Sequence, residues 1–131
     1  MKYTGSIDVS RLKHPPENNE FSVAKYFANL GKEIVFIPPS AIPNQHRPDI
    51  VMDGMEWEIK CPEGGSKRTI ENNMRMALLQ SNNVIFDLRH MRLSESIGIS
   101  KLEKEFKLNS KLKKLYIIRK NGSLISLVSK N

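Results

Sequence analysis

The chain has 131 residues, one cysteine, 39% hydrophobic and 27% charged residues, and a formal net charge of +7. This length favours a single domain, 1–131, which is large enough to bury a core without disulfides or structural zinc. One thiol excludes an intramolecular disulfide framework and a cysteine-rich zinc site. No apolar run is long enough to span a membrane. The first residues lack an apolar stretch, so we expect no signal peptide there.

The excess positive charge lies at the C-terminal end of the chain. Residues 1–100 carry twelve Lys or Arg and twelve Asp or Glu, whereas the last 31 residues carry nine and two. A basic segment of this kind indicates a polyanionic partner such as a nucleic acid. A solvated helix face that keeps the protein soluble is the alternative, and charge alone does not separate the two.

The first half of the chain predicts an arm, a helix and three strands. Residues 1–17, which contain Pro15-Pro16, are predicted to be an irregular N-terminal arm. Apolar residues at helical spacing predict helix 1 over 19–30, and a β-branched run predicts a strand over 33–38. Two further strands, 49–52 and 55–61, flank Asp53-Gly54, a dipeptide typical of a type I′ hairpin turn.

The second half of the chain predicts two helices, one strand and a closing hairpin. Helix 2 is expected over 67–81, with a buried stripe of apolar residues, and the next strand over 84–88. Ser94 can cap a helix that continues to residue 106 or 108, although Gly98 weakens its first turn. Leu115–Arg119 and Leu124–Val128 flank Asn121-Gly122 as a second hairpin. This order of elements predicts one α/β or α+β domain.

The first hairpin brings acidic residues together. A two-residue turn at 53–54 places Ile50 opposite Trp57 and Asp49 opposite Glu58. Directly opposed side chains share one face of the sheet, about 5 Å apart. Alternation along the second strand adds Lys60 to the face of Glu58 and directs Trp57 to the opposite face, into a core.

Two carboxylates and an amine in this arrangement predict phosphodiester hydrolysis. Like charges directly opposite each other destabilise a sheet, and a divalent cation removes that conflict. Mg²⁺ accepts oxygen ligands from one or two carboxylates, so Asp49 and Glu58 are candidate ligands. Lys60 can orient the attacking water or neutralise developing charge. The alternative is the solvent-facing polar side of an ordinary hairpin.

Pro48-Asp49, followed after eight residues by Glu58-Ile59-Lys60, resembles the signature of the PD-(D/E)XK nuclease superfamily. The resemblance implies a restriction-endonuclease-like αβββαβ core, a central mixed sheet flanked by helices, here with a C-terminal helix and β-hairpin. It also implies that Glu20 on helix 1 joins the metal site. A favourable acid in the first turn of a helix is the alternative role of Glu20.

More narrowly, the chain resembles the CdiA C-terminal tRNA nuclease family, toxin domains that are also fused to phage minor head proteins. The resemblance is most specific in four stretches: 48–50, 57–60, 69–73 and 84–89. It implies a nuclease that uses Mg²⁺, or Mn²⁺ or Zn²⁺ in its place, and cuts tRNA in the cytoplasm of a target cell. It further implies a cognate immunity protein, and delivery as the C-terminal part of a larger exported or phage protein.

Other residues are candidates for contacts with the nucleic acid. The start of helix 2 offers backbone amides and polar side chains that can hold a phosphate. Asn73 and Gln80 lie seven residues apart and are expected on one helix face, and a Gln on this helix often borders the active site in the superfamily. The predicted nucleic-acid contacts are Ser66, Lys67, Arg68, Thr69, Asn73, Gln80 and Arg47.

Several side chains are expected to be structural. Asp53 is predicted to be a turn residue, and Cys61 a small buried one. The histidines, His14, His46 and His90, show no metal-ligand spacing. The leading hypothesis is a metal-dependent nuclease acting on RNA. A DNA endonuclease of a mobile element or repair system, with the same residues, and a non-catalytic nucleic-acid-binding module remain the alternatives.

Overall fold

The computed structural model of the chain describes residues 4–66 and 68–130. These residues form a mixed α+β fold of seven strands and three helices. The helices are α1 Asn18–Asn29, α2 Thr69–Ala77 and α3 Glu95–Leu108. The strands are β1 Ser6–Asp8, β2 Glu33–Phe36, β3 Ile50–Met52, β4 Met55–Lys60, β5 Asn83–Asp87, β6 Lys114–Ile118 and β7 Leu124–Val128. No helix in the described residues has the length and apolar character needed to cross a membrane.

The strands form one sheet in chain order, from β1 at one edge to β7 at the other. β1 is parallel to β2, and β4, β5 and β6 are parallel to one another, whereas β2–β3–β4 and β6–β7 are antiparallel. Strand β1 corrects the prediction of an irregular arm over 1–17, because Ser6–Asp8 pair with residues 33–35 of β2. Three residues are too few to display the alternation that identifies a strand in a sequence.

The turn between β3 and β4 fixes how these strands pair. Asp53 and Gly54 both have positive φ, at 56° and 74°, as a type I′ turn requires. Ile50 lies opposite Trp57, so the predicted register is confirmed. Trp57 faces one side of β4, and Glu58, the next residue, therefore faces the other.

Helices cover both faces of the sheet. The core on the α1 side contains Val23, Ala24, Phe27, Ile34, Phe36, Ile50, Met52, Trp57, Ile59, Ile85 and Ile118. The core on the side of α2 and α3 contains Ile70, Met74, Ala77, Val84, Phe86, Leu88, Met91, Leu102, Leu112, Leu115 and Ile117. Because α2 packs against β4, the face of β4 that carries Glu58 is covered by protein.

The two later helices begin and end differently from the prediction. The predicted helix over 67–81 is shorter, since α2 ends at Ala77 and residues 78–80 form turns. Helix α3 begins after Ser94, as predicted. Gly98, expected to weaken the first turn of α3, is buried against Met91, and a Cβ atom at Gly98 would lie 2.6 Å from Met91 Cε. A larger residue at position 98 would therefore require the flexible end of the Met91 side chain to move.

Candidate active site

Asp49 lies where three segments meet, immediately before β3. Its backbone N–H donates to the Trp57 carbonyl at 2.9 Å, and its carbonyl accepts from the Ile37 N–H at 2.9 Å. The Asp49 side chain turns towards β4, where Oδ2 accepts the Ile59 N–H at 2.8 Å. Backbone and side chain together hold the Asp49 carboxylate beside the end of β4.

Glu58, in the middle of β4, is 6% exposed. Lys60 Nζ lies 3.4 Å from Glu58 Oε2. The other carboxylate oxygen, Oε1, is buried and receives no hydrogen bond from a donor in the described part of the chain. This burial contradicts the alternative of a solvent-facing hairpin, and an unpaired buried carboxylate oxygen is energetically unfavourable.

The acidic pair, Asp49 and Glu58, affects the protonation of both groups. Burial, with the negative charge of Asp49 as a second cause, raises the pKa of Glu58 to about 8, and Lys60 opposes that rise. Burial also raises the pKa of Asp49, against the effect of the Ile59 amide. A hydrogen bond between the two side chains lowers the pKa of Asp49 and raises that of Glu58. Burial and the adjacent negative charge therefore favour the protonated form of this pair when no cation is bound.

Glu20 lies close to the acidic pair, in the first turn of α1. Burial raises the pKa of Glu20 to about 7, and the charge of Asp49 is the second cause, while Lys60 lowers it. Within residues 4–66 and 68–130, however, no three His, Cys, Asp or Glu side chains are grouped closely enough to hold a metal ion. Glu20 thus lies near the acidic pair, but the structure does not place it as a third ligand of a metal ion.

The acidic pair has the chemistry of a site for a hard divalent cation. Its donors are carboxylate oxygens, which Mg²⁺ prefers. The buried Glu58 Oε1 lacks a donor among the described residues, and the raised pKa values of the two adjacent acids show that the site is short of positive charge. These residues fit such an ion, and the metal itself stays a prediction.

A cavity of about 740 Å³ opens beside the pair, with Asp49 and Glu20 in its lining. We call it the arm–loop cavity, because one wall is the arm, residues 11–17, and the other is the loop 36–48. Its cationic lining residues are Arg11, Lys13 and Arg47, and its histidines are His14 and His46. Arg47, a predicted nucleic-acid contact, therefore lines the same cavity as the acidic residues.

The residues before α2 form a polar start to that helix. Ser66 Oγ and Thr69 Oγ1 are 3.0 Å apart. Arg68 is exposed at the N-cap position and makes no side-chain capping hydrogen bond. Lys67 lies outside the described residues. Phosphate binding by this segment stays a prediction.

The amides predicted to share a face of helix 2 do not do so. Gln80 lies beyond the end of α2, in a second cavity lined by Met55 and Glu56, near the start of β4. Asn73 Nδ2 donates to the Thr69 carbonyl of its own helix at 2.8 Å. The prediction of one face over seven residues is wrong, because the helix ends at Ala77.

Part of the basic C-terminal segment is used inside the fold. Lys101 pairs with Glu71 at 3.2 Å, and Arg119 pairs with Glu95 at 3.0 Å. Lys120 Nζ donates to the Leu93 carbonyl at 3.3 Å. Two of these side chains make ion pairs with α3 or from it, and the third bonds the segment before α3, so the excess of positive charge is in part structural.

Trp57 and Asp53 have the structural roles predicted for them, whereas Cys61 is less buried than expected. Trp57 is fully buried, and its Nε1 donates to the Met52 carbonyl at 3.0 Å. Asp53 is in the turn and pairs with Lys32 at 2.9 Å. Cys61 is half-buried, and burial raises the pKa of its thiol to about 12, so the thiol is unreactive at neutral pH.

Sequence reasoning missed an ion pair at the end of β5. Asp87 is fully buried, and Arg89 binds it through Nε at 2.8 Å and Nη2 at 2.9 Å. Arg89 Nη2 also donates to Ser22 Oγ on α1 at 3.2 Å. The signal was an acidic residue at the end of an apolar strand, two residues before an arginine.

The cavity-lining role of the arm residue Glu17 was missed as well.

The fold is similar to that of a chain from the CdiA-CT/CdiI toxin and immunity complex of Burkholderia pseudomallei. The TM-score is 0.69 and the sequence identity 20%, with 95% of this chain and 100% of that chain covered. At this identity the likeness shows the fold alone. The chain thus has the fold of a small α+β domain found in that complex.

The family follows from the sequence comparison. The family model of the contact-dependent growth inhibition CdiA C-terminal domain matches residues 46–124, more than half of the chain. The chain belongs to this family of toxin domains. The matched region contains Asp49, Glu58 and Lys60, whereas Glu20 precedes it. A comparison with curated proteins gave no match.

Proposed function

We propose that this toxin domain is a metal-dependent nuclease that cuts RNA, with tRNA as its substrate. The proposal includes a PD-(D/E)XK site in a restriction-endonuclease-like core, for which the order α1-β2-β3-β4-α2-β5 is the support. The observation that carries the proposal is the buried pair of Asp49 and Glu58, with Lys60 beside it and a cavity next to it.

Asp49 and Glu58 would hold Mg²⁺, or Mn²⁺ or Zn²⁺ in its place, and Glu20 would contribute from the outer shell. A bound ion of this kind supplies charge stabilisation at the phosphate and a water of lowered pKa. The proton on the acidic pair must leave before the cation is bound, because both acids act as ligands in their ionised forms.

The side chains themselves provide positioning. The Ile59 amide fixes Asp49 Oδ2, so this carboxylate does not need to reorganise. Lys60 Nζ, 3.4 Å from Glu58 Oε2, can donate hydrogen bonds to a water or a phosphate oxygen. Arg47 in the cavity and Arg68 before α2 would bind the flanking phosphates, as would the predicted contact Lys67.

Family membership supports the biological setting. The structurally similar chain comes from a structure described as a CdiA-CT/CdiI toxin and immunity complex. We infer a cognate immunity protein for this chain as well. We also infer that it acts in the cytoplasm of a target cell, after delivery as the C-terminal part of a larger exported or phage protein.

The test is cleavage of total tRNA and of plasmid DNA by purified protein, with Mg²⁺ and with EDTA. We expect Mg²⁺-dependent cleavage of tRNA that EDTA abolishes and Glu58→Gln removes. Glu56→Gln is the matched control, because Glu56 lies on the same strand and the same face but is exposed. Cleavage that persists in EDTA, or in Glu58→Gln, contradicts the mechanism.

The alternatives give different results in the same assay. Selective cutting of the plasmid indicates a DNA endonuclease with the same residues. Salt-sensitive binding of nucleic acid without cleavage of either substrate indicates a non-catalytic binding module. Growth arrest on expression of the wild type, relieved by Asp49→Asn, tests the toxin role in cells.

A further inference from the structure

The arm–loop cavity has the size of a ligand site. Its volume of about 740 Å³ falls within the range of roughly 300–1,000 Å³ that is usual for sites of small ligands. Asp49 and Glu20 line it, so whatever occupies the cavity lies next to the candidate catalytic groups. The proposed chemistry at Glu58 and Lys60 does not use this volume.

The loop wall of the cavity is held in place by the chain itself. The Ile37 N–H donates to the Asp49 carbonyl at 2.9 Å, which closes the base of the loop. Within the loop, the Ile42 N–H donates to Ser40 Oγ at 3.1 Å and the Gln45 N–H donates to the Ile42 carbonyl at 3.2 Å. The Ser40 hydroxyl also bonds the Gln45 side chain.

Prolines stiffen both walls. The cavity is lined by Pro15, Pro16, Pro38, Pro39, Pro43 and Pro48. Each proline fixes its backbone φ, so the cavity exists before a ligand arrives and little conformational entropy is lost on binding. Asp49 directly follows this loop and also belongs to the acidic pair, so the loop holds the cavity next to the acidic pair.

The chemistry of the lining suits a nucleobase with its phosphates. The imidazole rings of His14 and His46 offer flat surfaces for stacking, the proline rings offer apolar contact, and the side chain of Asn44 can bond the edge of a base. Arg11, Lys13 and Arg47 suit phosphates, while the carboxylates of the lining, Glu17, Glu20 and Asp49, lie towards the acidic pair and the first turn of α1. Proteins bind single-stranded RNA in this way, by stacking, edge contacts and positive charge.

We propose that the arm–loop cavity receives one unpaired nucleotide of RNA next to the scissile phosphate, so that the enzyme cuts at loops and single strands. This inference rests on the proposed nuclease function. A base within a continuous duplex is stacked and paired, and it reaches such a cavity only after it has been extruded from the helix. Duplex RNA is therefore a poor substrate.

The first experiment measures binding without cleavage. In EDTA, fluorescence anisotropy compares a labelled RNA hairpin that has an unpaired loop with a blunt duplex of the same length. We expect tighter binding of the hairpin by roughly ten- to hundredfold, the range for one stacked base. Ala41→Trp, which fills the cavity from the exposed loop, should remove this preference, and Leu79→Trp, on an exposed site outside the cavity lining, should keep it.

The second experiment changes the substrate and leaves the protein intact. The cleavage site of the hairpin is mapped, and the nucleotides on either side are replaced in turn by abasic ribose. One of these changes should lower kcat/KM of the wild type by roughly ten- to hundredfold. The same change should have little further effect in Ala41→Trp, because the cavity is already closed to the base.

Three results overturn the inference while leaving the nuclease function intact. They are equal cleavage of duplex and loop, an effect below twofold at both abasic positions, and wild-type preference in Ala41→Trp. Absence of cleavage of any RNA contradicts the proposed function instead. In that case the binding comparison in EDTA still tests whether the arm–loop cavity binds an unpaired nucleotide. Equal affinity for hairpin and duplex would overturn that inference.

Discussion

Two buried carboxylates on neighbouring strands of this protein, Asp87 and Glu58, have opposite surroundings. Asp87, on β5, is fully buried and receives two hydrogen bonds from the guanidinium of Arg89 and one from its backbone N–H at 3.0 Å. Glu58, on β4, has one amine at 3.4 Å from Oε2 and no donor for Oε1 among the described residues. The Asp87 carboxylate is therefore neutralised by a bound guanidinium, whereas the site of Glu58 lacks positive charge.

The difference separates a structural ion pair from a functional site. A buried pair whose hydrogen bonds are all made stabilises the fold against loss of either partner. A buried carboxylate with an unpaired oxygen and a negative neighbour destabilises the fold, and groups of this kind cluster where ligands bind. We therefore assign Asp87 to the scaffold and Glu58 to the chemistry. Each prediction below tests that assignment.

The largest expected effect is on catalysis. Asp49→Asn and Glu58→Gln should each lower kcat/KM for RNA at least about a thousandfold, because each removes a ligand of the cation on which charge stabilisation depends. Initial rates with Mg²⁺ at saturating concentration provide the measurement. Glu56→Gln should retain wild-type activity. Loss of activity in Glu56→Gln to the same degree would mean that general charge on β4 matters, and not this pair.

The second effect is on stability and concerns Asp87. Asp87→Ala should lower the free energy of unfolding by about 3 kcal/mol, because the partly buried guanidinium of Arg89 loses its carboxylate partner. Urea denaturation in EDTA provides the value. Lys32→Ala removes the exposed pair with Asp53, whose side chains are 38% and 37% exposed, and should change stability by less than about 1 kcal/mol. Equal losses in both variants would contradict the assignment of Asp87 to the scaffold.

The third effect is on the pH dependence of stability without metal. The pKa of Glu58 is raised to about 8 and that of Glu20 to about 7, whereas an unfolded glutamate titrates near 4.5. Between these values the folded state binds more protons than the unfolded state, so the free energy of unfolding should fall as the pH rises from 5 to 8. Thermal unfolding in EDTA across this range provides the test.

Glu58→Gln isolates the contribution of one acid to that slope. The variant should be less sensitive to pH and, at pH 8 in EDTA, more stable than the wild type by roughly 1 kcal/mol or more, several degrees in Tm for a chain of this size. A variant that loses activity and gains stability is expected of a functional carboxylate. Destabilisation of Glu58→Gln at pH 8 would instead place Glu58 in the same structural role as Asp87.

The smallest effect concerns the support of the scaffold pair. Ser22→Ala removes the hydroxyl that accepts from Arg89 Nη2 at 3.2 Å. We expect a loss of about 0.5–1.5 kcal/mol of stability, the usual value for one hydrogen bond, with unchanged cleavage of RNA. Reduced activity in a variant that unfolds normally would link the ion pair of Arg89 and Asp87 to the active site.

The local parts of the site could be predicted from the sequence. Asp53-Gly54 determines a two-residue turn, and the turn determines which residues of β3 and β4 oppose each other. That register pairs Ile50 with Trp57 and directs Trp57 into the core. Asp49, one residue before β3, is held beside β4 by the bond from the Ile59 N–H to its side chain. The nearness of Glu20, in contrast, came from a family resemblance.

The parts that depend on tertiary packing could not be predicted in this way. Strand β1 has three residues, and only its parallel neighbour β2 makes it a strand. The burial of Glu58 arises from α2, which packs across β4. Likewise, the end of α2 at Ala77 and the closure of the arm–loop cavity depend on contacts between segments distant in the sequence.

The most direct test of the central claim is calorimetric titration of the purified protein with Mn²⁺ or Mg²⁺ at pH 7.5, in two buffers of different ionisation enthalpy. We predict one ion per chain, with release of about one proton from the acidic pair, and loss of binding in Asp49→Asn and Glu58→Gln but not in Glu56→Gln. A protein that binds no ion, or that binds it equally well in all three variants, would contradict the claim that these two acids share a divalent cation.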